Sequence, residues 1–188
     1  MLEPFFAAFI LALISEIGDK TQLVILGLAL KYRARFKIFF GAFLAHSFID
    51  GISILVGTFF SFSLPNELIS KAVGILFISL GVYALAKLYI KKSKKNKKEV
   101  LSKTPFLASF LTIIVIEFGD RSQIASGLLA AKYASPLLIF IGFSLALALV
   151  IGLTVFVGSK LAERIPRKTI KVISAILFIV FGLATLLF

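Results

Sequence analysis

Long apolar runs occupy almost the whole chain of 188 residues, and they limit its fold more than any other feature. Each run is about twenty residues or longer, and a helix of that length crosses about 30 Å of hydrocarbon. Only helices and closed barrels satisfy the backbone in lipid, and these runs are continuous rather than alternating. With 60% hydrophobic residues and a mean hydropathy of +1.06, the chain leaves no room for a soluble domain.

We therefore predict an all-α integral membrane protein with six transmembrane helices as two inverted three-helix repeats. The N-terminal run lacks a basic start and carries acids, so it does not resemble a secretory signal peptide. The predicted spans, within a few residues, are Pro4 to Leu30, Ile38 to Phe62, Leu68 to Ile90, Pro105 to Ala131, Pro136 to Leu161 and Ile170 to Phe188.

The prediction of repeats comes from the alignment of the chain with itself. A shift of 101 positions places Glu16 on Glu117 and aligns the halves without a gap, with roughly a third of positions identical. Each copy holds three predicted spans, so the second copy enters the membrane from the opposite side. Residues 1–90 and 104–188 then form the repeats, with a basic linker at 91–103. Many secondary transporters are built in this way, with the substrate site near the midplane. A duplication that only made a stable bundle is the alternative.

Lysine and arginine are concentrated in the first, third and fifth connections, which lie on one face of the membrane. The positive-inside rule makes this face cytoplasmic and places both termini outside, in a multi-pass protein of the cell membrane. We interpret the lysine run as a solvated link that contacts anionic lipid, with no nucleic-acid partner. The basic residues are Lys31, Arg33, Arg35 and Lys37, then Lys87, the run Lys91–Lys98 and Lys103, then Lys160, Arg164, Arg167, Lys168 and Lys171, whereas the opposite face has Lys71 and Lys132.

A charged motif interrupts the first span of each copy. It reads Glu16-Ile17-Gly18-Asp19-Lys20-Thr21-Gln22 and then Glu117-Phe118-Gly119-Asp120-Arg121-Ser122-Gln123. A charge at the centre of a membrane helix costs about 2.5–3.5 kcal/mol on insertion scales, so such residues face a bundle interior or a cavity. In a continuous helix the two acids of each motif share one face, and each base follows its glutamate at the spacing of an intrahelical ion pair.

The residue types in these motifs favour a hard divalent cation. Carboxylate, hydroxyl and amide oxygens are ligands for Ca²⁺, Mn²⁺ or Mg²⁺, and the chain has no cysteine for a thiolate site. Without a cation, clustered carboxylates disfavour one another's ionisation and take up protons, which is the chemistry of an exchanger. A structural salt-bridge cluster is the alternative. The candidate ligands are Glu16, Asp19, Glu117, Asp120, Thr21, Ser122, Gln22 and Gln123, with Lys20 and Arg121 as ion-pair or gating residues.

Two further polar residues lie in the second span, four positions apart. His46 and Asp50 are replaced by Leu147 and Ile151 in the second copy. Intramembrane ionisable residues are often part of a proton path, so we interpret Asp50, with His46, as a candidate for that role. The alternative is that Asp50 is only a local partner of His46.

The paired motif Glu-x-Gly-Asp-(Lys/Arg)-(Thr/Ser) resembles that of the Gdt-type family, the uncharacterised-protein-family-16 type of cation/proton exchangers within the lysine-exporter superfamily. The resemblance covers essentially the whole chain. It implies that Glu16, Asp19, Glu117 and Asp120 bind the cation and that Thr21 and Ser122 support them.

The same resemblance implies a secondary transporter rather than an enzyme, which exports Mn²⁺ or Ca²⁺ in exchange for protons. The metal is then a substrate, and no cofactor is expected. A lysine-exporter-like carrier of a small organic cation and a non-transporting membrane scaffold are the alternatives, and a homo-oligomer is left open.

The charge asymmetry predicts the result of a labelling experiment. A cysteine at Asn96, in the lysine run, should resist an impermeant thiol reagent added to intact cells, because this connection is cytoplasmic. A cysteine at Asn66, in a connection on the opposite face, is the matched control and should react. The chain has no cysteine of its own, so each variant has one site. Ready labelling at position 96 of a folded protein would overturn the orientation.

Overall fold

The computed structural model describes residues 2–17, 19–89, 102, 104–157 and 167–187. These residues form α-helices and one π-helical turn and contain no strand, which confirms the all-α prediction. The helices are α1 Glu3–Glu16, α2 Lys20–Tyr32, α3 Arg35–Ser63, α4 Asn66–Tyr89, α5 Pro105–Glu117, α6 Arg121–Tyr133, α7 Pro136–Gly152 and α8 Arg167–Leu187, and the π-helical turn Leu153–Val157 continues α7.

Several residues used in the predictions lie outside the described part of the chain. They are Gly18, Lys103, Lys160 and Arg164, the run Lys91–Lys98, and the predicted span ends Ile90, Leu161 and Phe188.

Among the described residues, three helices are long and apolar enough to cross a membrane: α3, α4, and α7 with its π-helical turn. They coincide with the predicted second, third and fifth spans, and α8 contains a shorter apolar helix where the sixth is predicted. Large apolar side chains project outwards from the middle of the long helices; Phe48 of α3 is 58% exposed and Leu145 of α7 is 51% exposed. Such an apolar exterior is suited to contact with lipid.

The prediction of continuous helices over the first and fourth spans is wrong. The chain leaves helical geometry after Glu16 and after Glu117, and Asp19 and Asp120 are extended, with ψ of 166° and 169°. Gly119 has φ +76°, which L side chains rarely adopt. The glycine of the second motif therefore permits a full break in the helix. Each half-helix has 13 or 14 residues, about 20 Å in length, which is too short to cross the hydrocarbon alone.

Helices from the two halves pack closely on each other at glycines. A Cβ at Gly41 of α3 would clash with the carbonyl oxygen of Phe106 in α5. A Cβ at Gly142 of α7 would lie 2.6 Å from the carbonyl oxygen of Phe5 in α1. The 101-residue shift converts one contact into the other. Small residues let backbones approach where lipid supplies no hydrophobic drive to associate, so these contacts hold the halves together.

The α4–α8 pair packs in the same manner. Gly74 lies against the carbonyl oxygen of Gly182, and Gly81 lies against that of Ala175. The contacts move backwards along α8 as they move forwards along α4, so the two helices are antiparallel. Each contact is again the counterpart of the other under the 101-residue shift.

The glycine contacts predict a difference in stability between two glycine substitutions in α3. In Gly41→Ala the new Cβ would meet the Phe106 carbonyl, which is backbone and cannot move aside cheaply. We expect a loss of about 1–3 kcal/mol, typical of overpacking. In the control, Gly51→Ala, the nearest atom is a ring carbon of Phe140 at 3.6 Å, an ordinary contact. Melting of the purified variants in detergent should show a lower midpoint for Gly41→Ala alone. Equal midpoints would contradict the packing described.

Candidate cation site

The acids of the two motifs converge where the broken helices meet. Ligand atoms of Glu16, His46 and Glu117 lie within 4.8 Å of one another. A second group, Asp19, Glu117 and Asp120, meets the same limit. Glu117 belongs to both groups, so the four acids of the two halves form one cluster, joined by a histidine from α3. Glu16 and Glu117 are 2% and 3% exposed, which makes the cluster an interior feature of the helix bundle.

The breaks place each acid at the end of a half-helix. Glu16 and Glu117 are the last residues of α1 and α5, whose C-terminal ends carry partial negative charge and therefore favour a cation. Asp19 and Asp120 precede α2 and α6, whose N-terminal ends stabilise a carboxylate. Neither aspartate caps its helix with a side-chain hydrogen bond. The prediction that the acids of one motif share a continuous helical face is wrong, because the helix ends between them.

The two motif hydroxyls act across the halves. Thr21 donates a hydrogen bond to Oε1 of Glu117, and the Ser122 side chain forms the corresponding interaction with Glu16. Both hydroxyl residues are buried. Each hydroxyl therefore orients the glutamate of the other motif, and the two halves complete each other's site.

The motif glutamines have different partners. Oε1 of Gln123 accepts a hydrogen bond of 2.6 Å from the backbone N–H of Gly119, and so stabilises the break. Oε1 of Gln22 accepts one from Thr154 in the π-helical turn. Gln123 also borders an apolar cavity of about 460 Å³ between α3, α4 and α6. Within the part of the chain that is described, the amide oxygens of both glutamines already have donors.

Arg121 does not form the predicted intrahelical ion pair. Arg121 begins α6 and is partly buried, and no ion pair between Arg121 and Glu117 exists in the described ranges. The break separates the two residues, so the helical four-residue spacing does not apply to them. The side chain of Lys20, the equivalent base, lies outside the described part of the structure.

His46 and Asp50 are both buried but belong to different surroundings. Asp50 accepts a hydrogen bond of 3.3 Å from Ser126 of α6, whereas His46 lies with Glu16 and Glu117. No hydrogen bond joins His46 to Asp50 in the part of the chain described here, so the alternative of a local pair is wrong. The contacts made by Ser126 and Thr154 could not be predicted from the sequence, because an isolated hydroxyl in an apolar helix shows no partner there.

Among the described residues, Oε2 of Glu16 and Nε2 of His46 are buried without a hydrogen-bond partner, as is the amide nitrogen of Gln22 in α2. A buried polar group without a partner costs about 1–3 kcal/mol, and a charged group costs more. Glu16 and His46 both belong to the group of three residues whose ligand atoms converge. The arrangement is chemically suited to a cation that these atoms bind together.

Comparison with known proteins gives a consistent picture. The family model described as "Divalent cation/proton antiporter GDT1" matches residues 4–92 and 105–188. The chain is 30% identical to a Vibrio cholerae protein named "Putative manganese exporter", over 93% of this chain and 86% of that protein. A GDT1-like protein of Synechocystis is 29% identical, over 98% of this chain and 97% of its own. GDT1-like protein 3 of Arabidopsis thaliana is 26% identical, over 98% and 71%. No solved structure matches the chain significantly.

Proposed function

Because the chain belongs to the divalent cation/proton antiporter GDT1 family, and is thus a multi-pass membrane transporter of divalent cations, we propose that it exports Mn²⁺ or Ca²⁺ in exchange for protons. The observation that carries the proposal is the convergence of Glu16, Glu117 and their neighbouring aspartates in one buried cluster. These acids bind the transported cation, with Thr21 and Ser122 orienting the glutamates.

The broken helices supply the membrane architecture for such a site. In this proposal α1 with α2, and α5 with α6, each cross the membrane as one interrupted span, which gives six spans with α3, α4, α7 and α8. The antiparallel packing of α4 on its equivalent α8 supports opposite orientations for the two halves. The breaks then lie near the midplane, where transporters use the ends of half-helices to bind ions.

Charge balance gives the reason for exchange. The four clustered carboxylates, of which Glu16 and Glu117 are buried and the two aspartates are half-buried, repel one another, so they need either a cation or protons. A divalent cation and a set of protons are then alternative occupants of the same oxygens. Outward release of the cation is coupled to proton entry because the vacated carboxylates cannot all stay ionised. Asp50, buried beside Ser126, is the candidate for a step on the proton path.

The dimensions of the cluster favour a metal ion over an organic cation. The ligand atoms of Glu16, His46 and Glu117 lie within 4.8 Å of one another, which suits a single ion with bonds of about 2.0–2.6 Å. An amino acid would need these groups to separate widely.

Replacement of one acid by its amide tests the site. Glu16→Gln and Glu117→Gln keep the shape of the side chain and remove a charge, so we expect Mn²⁺ uptake by proteoliposomes to fall at least tenfold. The control is Glu67→Gln, the same chemical change in an exposed acid that pairs with Lys71 within α4. Surface pairs of this kind contribute little, so its transport should be unchanged. Normal transport by both site variants would refute the assignment.

An imposed pH gradient tests the exchange separately. Proteoliposomes with an acidic lumen and Mn²⁺ outside should take up Mn²⁺ as protons leave, and a pH-sensitive dye inside should report the loss of protons. A protonophore should collapse the gradient and stop net accumulation. If neither the pH gradient nor the protonophore changes Mn²⁺ uptake, proton exchange is ruled out, and the acids can still be the cation site.

A further inference from the structure

We propose that His46 is a direct ligand of the transported cation and makes the site prefer Mn²⁺ to Ca²⁺. The inference rests on the proposed function, which assigns the cation to the acids, and adds a residue from outside both motifs. It concerns the selectivity of the site rather than its existence.

The position of His46 is the first argument. A ring nitrogen of His46 lies within 4.8 Å of carboxylate oxygens of both Glu16 and Glu117. These glutamates end the two half-helices α1 and α5, so His46, from α3, closes the group from a third direction. Three ligands from three helices can surround an ion in a way that the two broken helices alone cannot.

The unpartnered Nε2 atom of His46 is the second argument. His46 is 3% exposed, and its Nε2 has no hydrogen-bond partner among the described residues. A structural histidine in a helix bundle satisfies its ring nitrogens with a hydroxyl, a carbonyl or an acid at hydrogen-bond distance. Asp50, the acid one turn along α3, bonds to Ser126 instead. A bound cation supplies the missing partner of Nε2.

Ligand chemistry determines which cation benefits. Ca²⁺ and Mg²⁺ take oxygen ligands almost exclusively, whereas imidazole favours first-row transition metals; Mn²⁺, although mostly bound by oxygen, also accepts an imidazole nitrogen. A group of two carboxylates and one imidazole, with further carboxylates beside it, suits Mn²⁺ and gives Ca²⁺ one ligand that it does not favour. His46 therefore shifts an otherwise hard oxygen site towards the first-row transition metals.

The asymmetry between the halves indicates that this ligand is a separate addition to the site. The position equivalent to His46 in the second half is Leu147, which is fully buried in an apolar cluster with Ile25 and Ile113. The acids and hydroxyls are duplicated, but the imidazole is not. The ion then lies nearer to α3 than to α7 and is bound by a donor set that only one half provides.

Pulsed electron paramagnetic resonance of bound Mn²⁺ tests the inference directly. We would reconstitute the full chain in lipid nanodiscs, add Mn²⁺, and look for hyperfine coupling to ¹⁴N, which a bound imidazole produces. The wild-type chain should show the coupling, and His46→Gln, which offers an amide oxygen in place of the ring nitrogen, should not. Thr58→Val is the control in the same helix, because the Thr58 hydroxyl donates a hydrogen bond to the carbonyl of Ile54 within α3; it should keep the coupling.

Binding constants give the second measurement. His46→Gln should weaken Mn²⁺ binding at least tenfold and change Ca²⁺ binding less than about threefold, so the preference for Mn²⁺ falls. Wild-type chain that binds Mn²⁺ without ¹⁴N coupling would overturn the inference and leave the proposed function intact. An unchanged ratio of Mn²⁺ to Ca²⁺ affinity in folded His46→Gln would also overturn it. A folded wild-type chain that binds neither ion would refute the proposed function as well.

Discussion

The mutual repulsion of four clustered carboxylates, two of them buried and two half-buried, is the interaction on which the rest of the structure depends. Glu16 and Glu117 lie almost completely inside the bundle, and Asp19 and Asp120 lie beside them. Such a cluster costs several kcal/mol unless a cation or protons compensate it. The surrounding features all reduce that cost for an occupied site: half-helix ends carry suitable partial charges, and hydroxyls orient the glutamates. The arrangement of the acids therefore suits a site that a cation and protons occupy in turn.

The cluster exists only because the halves of the chain are interlocked. Thr21 donates a hydrogen bond to the glutamate of the other motif. Helix α3 packs on α5 at Gly41, and α7 packs on α1 at Gly142. Neither half could assemble these oxygens alone, because each contributes one glutamate, one aspartate and the hydroxyl that interacts with the glutamate of the other half. A change in the packing of the halves would therefore change the spacing of the ligands. This is the physical link between the glycine contacts and proposed transport by alternating access.

Much of the fold and of the site could be predicted from sequence, because lipid imposes strong rules. Continuous apolar runs predicted the bounds of α3 and α4 to within about three residues. The duplicated acids identified the motifs that converge. The full helix breaks could not be predicted, since glycine is common in membrane helices and permits a break without requiring one. The place of His46 depended on how α3 packs against α1 and α5, a tertiary relation that no local pattern contains. The missing Glu117–Arg121 pair follows from the same unpredicted break.

The central claim is that one cation binds between Glu16 and Glu117, where the broken helices meet. An anomalous difference map at the manganese absorption edge, from crystals of the full chain grown with Mn²⁺, tests it most directly. We predict one strong peak inside the bundle, within about 2.0–2.5 Å of oxygens from both glutamates. Mn²⁺ found only at the protein surface, with Glu16 and Glu117 turned away from each other, would contradict the account.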